Sequence, residues 1–436
     1  VDYEQVAETM GWDDVVGLGE MMNFPGILGG EENAQREVGE TLRAGKCVTG
    51  HYSVSETDRG LNAYIASGVR ACHESITPDD VIAKLRMGMY VQARYGSAWL
   101  SLPGYLPQVL KSGVDTRLIL LCTDDNHPNT LVNEGGMDRA LRAVLECGCD
   151  PVTALQFATI NAAQCLGVDQ DMGSVTPGKC ADMVLLPDLE SFVPDMVFID
   201  GEKVAEAGKP LFDHELFEWP DFMTHTMNVG RDFTAADFRI PVDHADGTCR
   251  VRAIGGVGGS TITEDAIIEV PVVDGCLQAN PEVDALKMAV FDRHHGAEGT
   301  HSYGFCTGFG VHGALAQTVS HDSHNLLVVG DNDEDMALAA QTLVECGGGE
   351  VAVADGKVLA LVELPVCGLM SDRHVDEVAK QVAGIEEAWK QMGCKMPSPF
   401  MTMGILSLPC VPVLRLTNRG YVNCLTFQFE DLVVED

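Results

Sequence analysis

Four side chains with metal-binding chemistry stand at matching places in the first third of the chain: Glu20, His51, His73 and Asp124. Each follows a short apolar run directly or within two residues. Imidazoles and carboxylates are the ligands that zinc, iron and manganese take in proteins. Each side chain has the simpler alternative of being a hydrogen-bonded polar residue at a strand end. Their shared position favours a site for a divalent metal ion.

The apolar runs that precede these side chains have the length of buried strands, and amphipathic segments separate them. Strands that alternate with helices predict a parallel sheet, and the ends of parallel strands in a β/α barrel converge on one face. Thr77-Pro78 is typical of a helix start, with Asp80 completing a capping box, and a second helix is predicted over residues 150–167. The predicted strands are residues 15–19, 46–50, 69–72 and 118–122.

The alternation of predicted strands and helices ends at Gly167. Short strands are predicted within residues 172–186 and 193–204, the latter with a turn at Asp200-Gly201, and residues 209–248 are expected to be irregular. Residues 255–259 predict a glycine-rich turn rather than a phosphate-binding loop.

The last third predicts a compact α+β domain. Its expected elements are a strand at 326–330, a helix at 333–346, and a hairpin of 350–354 and 358–364. The predicted domains are therefore part of a β/α barrel over 1–168, a small β-sandwich segment with an irregular linker over 169–248, and an α+β domain over 249–436.

The composition is that of a folded and strongly acidic protein. Apolar residues make up 46% of the 436 residues, enough for a large core. The 28 basic against 65 acidic residues give a net charge of -37, which disfavours nucleic acid and anionic lipid as partners. The 15 cysteines include no Cys-x-x-Cys pair, so we expect buried free thiols in a reducing, cytoplasmic compartment. No apolar stretch has the length of a membrane span.

Several motifs resemble those of adenine deaminases, a family of the amidohydrolase superfamily, and the resemblance covers nearly the whole chain. In the first part they are Gly-Leu-Gly-Glu-Met-Met-Asn-Phe-Pro-Gly from Gly17, Leu-Asn-Ala-Tyr-Ile-Ala-Ser-Gly from Leu61, Leu-Cys-Thr-Asp-Asp from Leu121 and Asp-Pro-Val-Thr-Ala-Leu from Asp150. His-Asp-Ser-His-Asn from His321, Asn-Asp-Glu-Asp-Met from Asn332 and Gly-Leu-Met-Ser from Gly368 are similar to a C-terminal domain that other amidohydrolases lack.

The resemblance implies the α/β fold class: a partial (β/α) TIM-like barrel of the metal-dependent hydrolase type, a small β domain and a C-terminal α+β domain. It implies two divalent ions, of manganese, iron or zinc. Glu20 would bridge the ions, His51 and His73 would ligate one, and Asp124 would contact the other. Glu20 and Asp124 are the expected catalytic residues. The implied reaction is hydrolysis of adenine, a small-molecule substrate, to hypoxanthine and ammonia in purine salvage, and the implied assembly is a homo-oligomer.

Five further side chains are candidates for substrate binding: Glu74, Asp125, His321, Asp322 and His324. The first directly follows a predicted ligand, and its alternative roles are to orient that imidazole or to cap the helix predicted to start at Thr77. The second is expected to brace the loop that carries Asp124. The last three have the alternative of a polar turn that hydrogen-bonds locally, which their residue pattern favours.

Two departures from the family pattern keep other functions open. No His-x-His pair precedes Glu20 and the chain begins at Val1 rather than Met, so we expect the first barrel strands to belong to a preceding segment. After His51 the chain reads Tyr-Ser-Val-Ser-Glu, where the family has a small residue or Cys and then Pro-Gly. The alternatives are an amidohydrolase that acts on another aminopurine or a cyclic amide, and an inactive fragment or partner subunit.

Overall fold

The computed structural model describes residues 1–213, 217–255 and 261–434, which fall into two compact units. The first unit comprises Val1–Asn126 and Asn133–Leu216, and the second comprises His127–Val132 and Phe217–Asp436. The division into three domains at residues 168 and 248 stays a prediction. The expected glycine-rich turn at 255–259 falls, apart from its first residue, outside the described residues.

A five-stranded parallel sheet lies at the centre of the first unit, in the order β1-β2-β3-β4-β5. Its strands are β1 (Gly17–Met21), β2 (Cys47–Gly50), β3 (Ala71–Cys72), β4 (Tyr90–Arg94) and β5 (Ile119–Cys122). The apolar runs predict all of them except β4, whose run is interrupted by Gln92 and ended by Arg94. The parallel α/β arrangement is confirmed, and its closure into a barrel stays a prediction.

Helices connect the strands and bury apolar side chains against the sheet. They are α1 (Tyr3–Thr9), α2 (Phe24–Gly29), α3 (Glu32–Arg43), α4 (Arg59–Ala66), α5 (Pro78–Arg86), α6 (Leu102–Lys111), α8 (Met137–Glu146), α9 (Pro151–Ala158) and α10 (Ile160–Leu166). The short helix α7 (Pro128–Asn133) belongs, apart from Asn133, to the second unit. One core cluster joins α5, α6, α8 and α9 to β4 and β5. A second cluster joins α2, α3 and α4 to the ends of β1, β2 and β3. The two clusters hold the strands in place from the helical side.

The capping box predicted at the start of α5 is only half present. The Thr77 hydroxyl accepts a hydrogen bond from the backbone N–H of Asp80 at 3.3 Å, as predicted. The Asp80 carboxylate instead pairs with the Lys84 ammonium at 3.0 Å. Because Lys84 is completely buried, its charge needs a carboxylate partner, and this outweighs the cap.

The single helix predicted over residues 150–167 is wrong, since the segment forms two helices, α9 and α10. Thr159 lies between them with φ −127° and ψ −93°, outside the helical region. Its hydroxyl donates to the carbonyl oxygen of Leu155 at 2.6 Å. A threonine hydroxyl that bonds back in this way competes with the helical backbone and bends the chain.

A four-stranded antiparallel sheet in the order β6-β7-β8-β9 completes the first unit. Its strands are β6 (Met183–Leu185), β7 (Met196–Ile199), β8 (Glu202–Glu206) and β9 (Lys209–Pro210). The predicted turn at Asp200-Gly201 is confirmed, with φ of 51° and 81° at its two residues. Within residues 172–186, β6 alone forms a strand of the described structure.

A ten-stranded sheet dominates the second unit, in the order β10-β13-β12-β11-β15-β14-β17-β16-β18-β19. The β11–β15 pair is parallel and the other pairs are antiparallel. The strands are β10 (Ile240–Pro241), β11 (Gly247–Gly255), β12 (Glu264–Val273), β13 (Cys276–Leu277), β14 (Leu286–Phe291), β15 (His301–Cys306), β16 (Ala314–Gln317), β17 (Leu326–Gly330), β18 (Gly349–Ala354) and β19 (Lys357–Glu363).

Besides α7, which apart from Asn133 belongs to this unit, four α-helices, three 3₁₀ turns and a small antiparallel sheet complete its described part. The helices are α11 (Asp221–Thr224), α12 (Asp333–Cys346), α13 (Val375–Gln391) and α14 (Pro399–Gly404), and the 3₁₀ turns are Ala235–Phe238, Pro281–Val283 and Gly296–Glu298. The small sheet consists of β20 (Leu414–Thr417), β21 (Gly420–Asn423) and β22 (Gln428–Glu430). The predicted strand, helix and hairpin are confirmed as β17, α12 and β18–β19, and residues 209–248 carry only short elements before β11.

The structure bears on two expectations from the composition, which concern membrane-spanning segments and the cysteines. No helix among the described residues has the length and apolar character needed to cross a bilayer. All the cysteines are free thiols. Cys180 is exposed, so the expectation that the thiols are buried does not hold for it.

Asp335 is a buried carboxylate that joins α12 to the β18–β19 turn. It accepts hydrogen bonds from the backbone N–H groups of Asp355 and Gly356 at 3.1 and 2.8 Å. We expect Asp335→Ala to lower the free energy of unfolding by about 1–3 kcal/mol, because two part-buried backbone N–H groups lose their charged acceptor. Urea denaturation followed by circular dichroism measures the change. Asp372→Ala, at an exposed position, is the control, and an equal effect of both changes would contradict this role.

Candidate metal centre

Three of the four predicted ligands come together at the carboxyl ends of neighbouring strands in the first unit. Glu20 lies near the end of β1, His51 directly follows β2, and His73 directly follows β3. The His51 Nδ1 and His73 Nε2 atoms are 3.1 Å apart. Carboxylate oxygens of Glu20 lie 3.8 Å from His51 Nδ1 and 3.1 Å from His73 Nε2. Parallel strands bring these residues together although they are distant in sequence.

The spacing of these donor atoms fits a divalent metal ion. Ligand bonds of about 2.0–2.2 Å in tetrahedral geometry place donor atoms roughly 3.4 Å apart. The three observed separations, 3.1, 3.1 and 3.8 Å, bracket this value. Two imidazole nitrogens and a carboxylate are also a common donor set for zinc, manganese or iron. Among the described residues, Glu20, His51 and His73 form the one group of three such side chains with donor atoms this close.

Burial prepares both imidazoles for metal binding. It lowers the pKa of His51 to about 4, and it also lowers the pKa of His73. Both rings are therefore neutral at physiological pH and keep a nitrogen lone pair, as a metal ligand must. Glu20 is the more exposed partner, with 32% of its side chain accessible. The group thus opens towards solvent through its carboxylate.

Asp124, the fourth predicted ligand, lies outside this group of three and pairs with a residue that the sequence did not reveal. Its carboxylate is 2.9 Å from Nη1 of Arg94, the last residue of β4. The same nitrogen is 2.7 Å from the carboxylate of Glu74. Arg94 and Glu74 are both buried, so a guanidinium between two carboxylates balances charge inside the protein. Arg94 could have been noticed by its position, because it lies at the carboxyl end of a strand, where the predicted ligands also lie.

Comparison with known proteins is consistent with this arrangement. A family model described as the adenine deaminase C-terminal domain matches residues 260–428, and the amidohydrolase family model matches residues 105–204. The adenine deaminase of Clostridium botulinum (strain Loch Maree / Type A3) is 50% identical over 434 residues, which are 99% of this chain and 72% of that protein. The adenine deaminase of Moorella thermoacetica is 46% identical over 431 residues, with the same two coverages. The chain belongs to the adenine deaminase family.

The loop after His51, which differs from the adenine deaminase pattern, buries its large residue Tyr52. Tyr52 follows His51 but is only 1% exposed, and its hydroxyl donates to the Glu56 carboxylate at 2.8 Å. Its ring packs against Phe24, with ring centroids 5.1 Å apart. Glu56 also accepts a hydrogen bond from the backbone N–H of Asp58 at the start of α4. The residues that differ from the family pattern, Tyr52 and Glu56, therefore stabilise the loop between β2 and α4.

Glu74 and Asp125, the two predicted substrate contacts in the first unit, both make hydrogen bonds or ion pairs within that unit. Glu74 makes the ion pair with Arg94, and its backbone oxygen accepts a hydrogen bond from the Lys84 ammonium at 3.0 Å. The backbone oxygen of Asp125 accepts from the N–H of Ser97 at 3.0 Å, which braces the loop after β5 as expected. Glu74 thus has the contacts of a positioning group, and substrate binding by either residue stays a prediction.

The other three predicted substrate contacts belong to the second unit, as part of the C-terminal region of the adenine deaminase family. The His321 imidazole lies 3.3 Å from the Asp322 carboxylate, and the backbone N–H of His324 donates to Ser320 at 2.6 Å. The backbone oxygen of Ser323 lies 2.8 Å from Nε2 of the His294 ring. These are the bonds of a polar turn, and a role in substrate binding stays a prediction.

Removal of either imidazole should abolish tight metal binding. We expect His51→Ala and His73→Ala each to weaken binding of a divalent ion by more than about 100-fold, beyond the 10–100-fold typical of losing a supporting group. Equilibrium dialysis with elemental analysis measures the bound metal. His244→Ala, at an exposed position of the second unit, should retain the wild-type value. Equal metal binding by all three variants would show that the ion sits elsewhere.

The Arg94 ion pairs yield a stability prediction. Arg94→Met should lower the free energy of unfolding by about 3–5 kcal/mol, because Glu74 stays buried without its cation. Adding Glu74→Gln should recover a large part of the loss. Arg117→Met breaks an exposed pair with Asp115 and should have little effect. Urea denaturation of the four proteins tests this, and a double variant as unstable as Arg94→Met would refute the assigned cause.

Proposed function

We propose that the chain catalyses the hydrolytic deamination of adenine to hypoxanthine and ammonia at the Glu20–His51–His73 centre. The group of two neutral imidazoles and one carboxylate, open to solvent, is the observation that carries the proposal. Membership of the adenine deaminase family supports the choice of substrate. We place the reaction in cytoplasmic purine salvage, and we expect a homo-oligomer with the small molecule adenine as its substrate partner.

Glu20, His51 and His73 would hold a divalent ion of manganese, iron or zinc, and Glu20 would also contact a second ion. Such an ion supplies the Lewis acidity that makes water a nucleophile near neutral pH. Both neutral imidazoles offer lone pairs, and the Glu20 carboxylate offers two oxygens. The set suits more than one of the three metals, so two ions per site and the choice of metal remain part of the proposal.

Asp124 would move the proton during the reaction. Its carboxylate accepts a proton from the attacking water as the C6–O bond forms, and passes it to the amino nitrogen as the C6–N bond breaks. Ammonia leaves, the second water proton moves to N1 of the ring, and the oxygen remains on C6 as the carbonyl of hypoxanthine. The Arg94 guanidinium at 2.9 Å supports this role because it fixes the direction of the carboxylate. The left-handed backbone of Asp124, with φ of 57°, also defines where its side chain leaves the loop.

A substrate panel tests the proposal. Purified protein loaded in turn with Mn²⁺, Fe²⁺ or Zn²⁺ is given adenine, other aminopurines and cyclic amides, and ammonia is measured. Ammonia should come preferentially from adenine. Turnover of another substrate without turnover of adenine would assign a different amidohydrolase activity. Absence of both turnover and bound metal would support the inactive fragment or partner subunit.

Asp124→Asn tests the proton-transfer step. We expect kcat to fall by about 10²–10⁴-fold, because the amide cannot accept the proton. The ion held by Glu20, His51 and His73 should stay bound, as elemental analysis would show. Asp79→Asn, at an exposed position on α5, is the matched control and should leave kcat unchanged. An Asp124→Asn enzyme with wild-type kcat would remove this residue from the mechanism.

A further inference from the structure

The Tyr64 hydroxyl touches the backbone beside two of the three ligands. Tyr64 lies on α4 and is completely buried. Its hydroxyl donates to the backbone oxygen of Met21 at 2.5 Å and accepts from the backbone N–H of His51 at 3.1 Å. Met21 directly follows Glu20. One hydroxyl therefore connects the chain next to Glu20 with the backbone of His51.

The strand pairing explains why a connection is needed at this point. Along β1 and β2, Leu18 pairs with Val48 and Met21 pairs with Gly50, so β1 has one more residue than β2 over this stretch. Such a β-bulge redirects a side chain and interrupts the regular ladder. Glu20 lies within this irregular stretch. The direct bond from the His51 N–H to the Met21 oxygen is long, at 3.4 Å, and the Tyr64 hydroxyl bridges the same two groups with shorter bonds.

The surroundings of Tyr64 are shaped to keep its hydroxyl in place. A Cβ atom on Gly50 would lie 2.2 Å from the hydroxyl oxygen, so the bridge fits only where residue 50 has no side chain. The Tyr64 ring packs against the rings of Tyr52 and Phe24, with centroid distances of 5.4 and 6.5 Å. The aromatic contacts fix the ring, and the glycine leaves room for its polar tip.

We propose that Tyr64 is a positioning residue for the metal centre, whose hydroxyl sets the spacing between Glu20 and His51. The inference rests on the proposed role of these residues as metal ligands. The bridge acts on the backbone of the ligands and touches neither ion nor substrate. Its loss should leave the fold intact and should widen the range of distances between the Glu20 carboxylate and His51 Nδ1. A divalent ion would then bind more weakly.

The test compares Tyr64→Phe with Tyr90→Phe in the full chain. Each variant loses one hydroxyl from a buried ring in the first unit, and the Tyr90 hydroxyl makes no hydrogen bond to a described residue. Titration with Co²⁺, followed by its visible absorption, reports both the affinity for the ion and the geometry of its ligands. Thermal unfolding of the metal-free proteins reports the purely structural cost of each change.

For Tyr64→Phe we expect Co²⁺ to bind at least about tenfold more weakly, with an altered absorption spectrum, as is typical when a supporting group is lost. Tyr90→Phe should match the wild-type affinity and spectrum. Wild-type Co²⁺ affinity and spectrum in Tyr64→Phe, whether or not its metal-free form melts earlier, would overturn the inference while leaving the proposed function standing. Failure of the wild-type protein itself to bind Co²⁺ would overturn both.

Discussion

The close approach of three donor atoms at the carboxyl ends of β1, β2 and β3 is the constraint on which the rest of the first unit depends. Two neutral imidazole nitrogens and a carboxylate lie 3.1–3.8 Å apart, and His51 and His73 carry desolvation costs that lower the pKa of each ring. Burial of polar groups in this way is unfavourable unless each finds a partner. A cation held among them would add its attraction to the contacts that the three groups make with one another.

The sheet meets this constraint with supports of two kinds. Backbone supports fix where the ligands leave the strands: the Tyr64 hydroxyl bridges β1 and β2, and the Lys84 ammonium bonds to the Glu74 backbone oxygen just after His73. A charged support, Arg94, fixes the carboxylates of Glu74 and Asp124. None of these three supports lies in the group of candidate ligands, yet each is buried. Groups of this kind orient metal ligands and tune their affinity.

The sequence predicts the part of this design that depends on local patterns. Apolar runs that end in Glu20, His51, His73 and Asp124 identify four strands, and parallel topology explains why the first three meet. The predicted end of β1 is wrong in detail, because Glu20 lies within the strand, in its irregular stretch, and not after it. Bulges leave no mark in an apolar pattern, since they depend on how the neighbouring strand pairs.

The supporting roles of Arg94 and Tyr64 could not be predicted from the sequence either, because they depend on partners that are distant along the chain. Arg94 ends a strand whose apolar run is broken by Gln92, and its two carboxylate partners are 20 and 30 residues away. Tyr64 stands in an amphipathic helix, where an aromatic residue ordinarily signals core packing. Its hydroxyl acquires a role only because Gly50, on another element, leaves space for it. Long-range partners of this kind are set by tertiary structure.

Charge at this edge of the sheet gives a further reason to place a divalent cation there. Glu20, Glu74 and Asp124 contribute three carboxylates, and Arg94 contributes one guanidinium, while both imidazoles are neutral. Burial raises the pKa of Glu74, but the charge and hydrogen bond of the Arg94 guanidinium hold it below its ordinary value, so this carboxylate stays ionised. Arg94 pairs with Glu74 and Asp124, so its guanidinium offsets part of the charge of these two carboxylates. An ion beside Glu20, His51 and His73 would be attracted by the nearby carboxylates, and this attraction would offset the cost of burying the imidazoles.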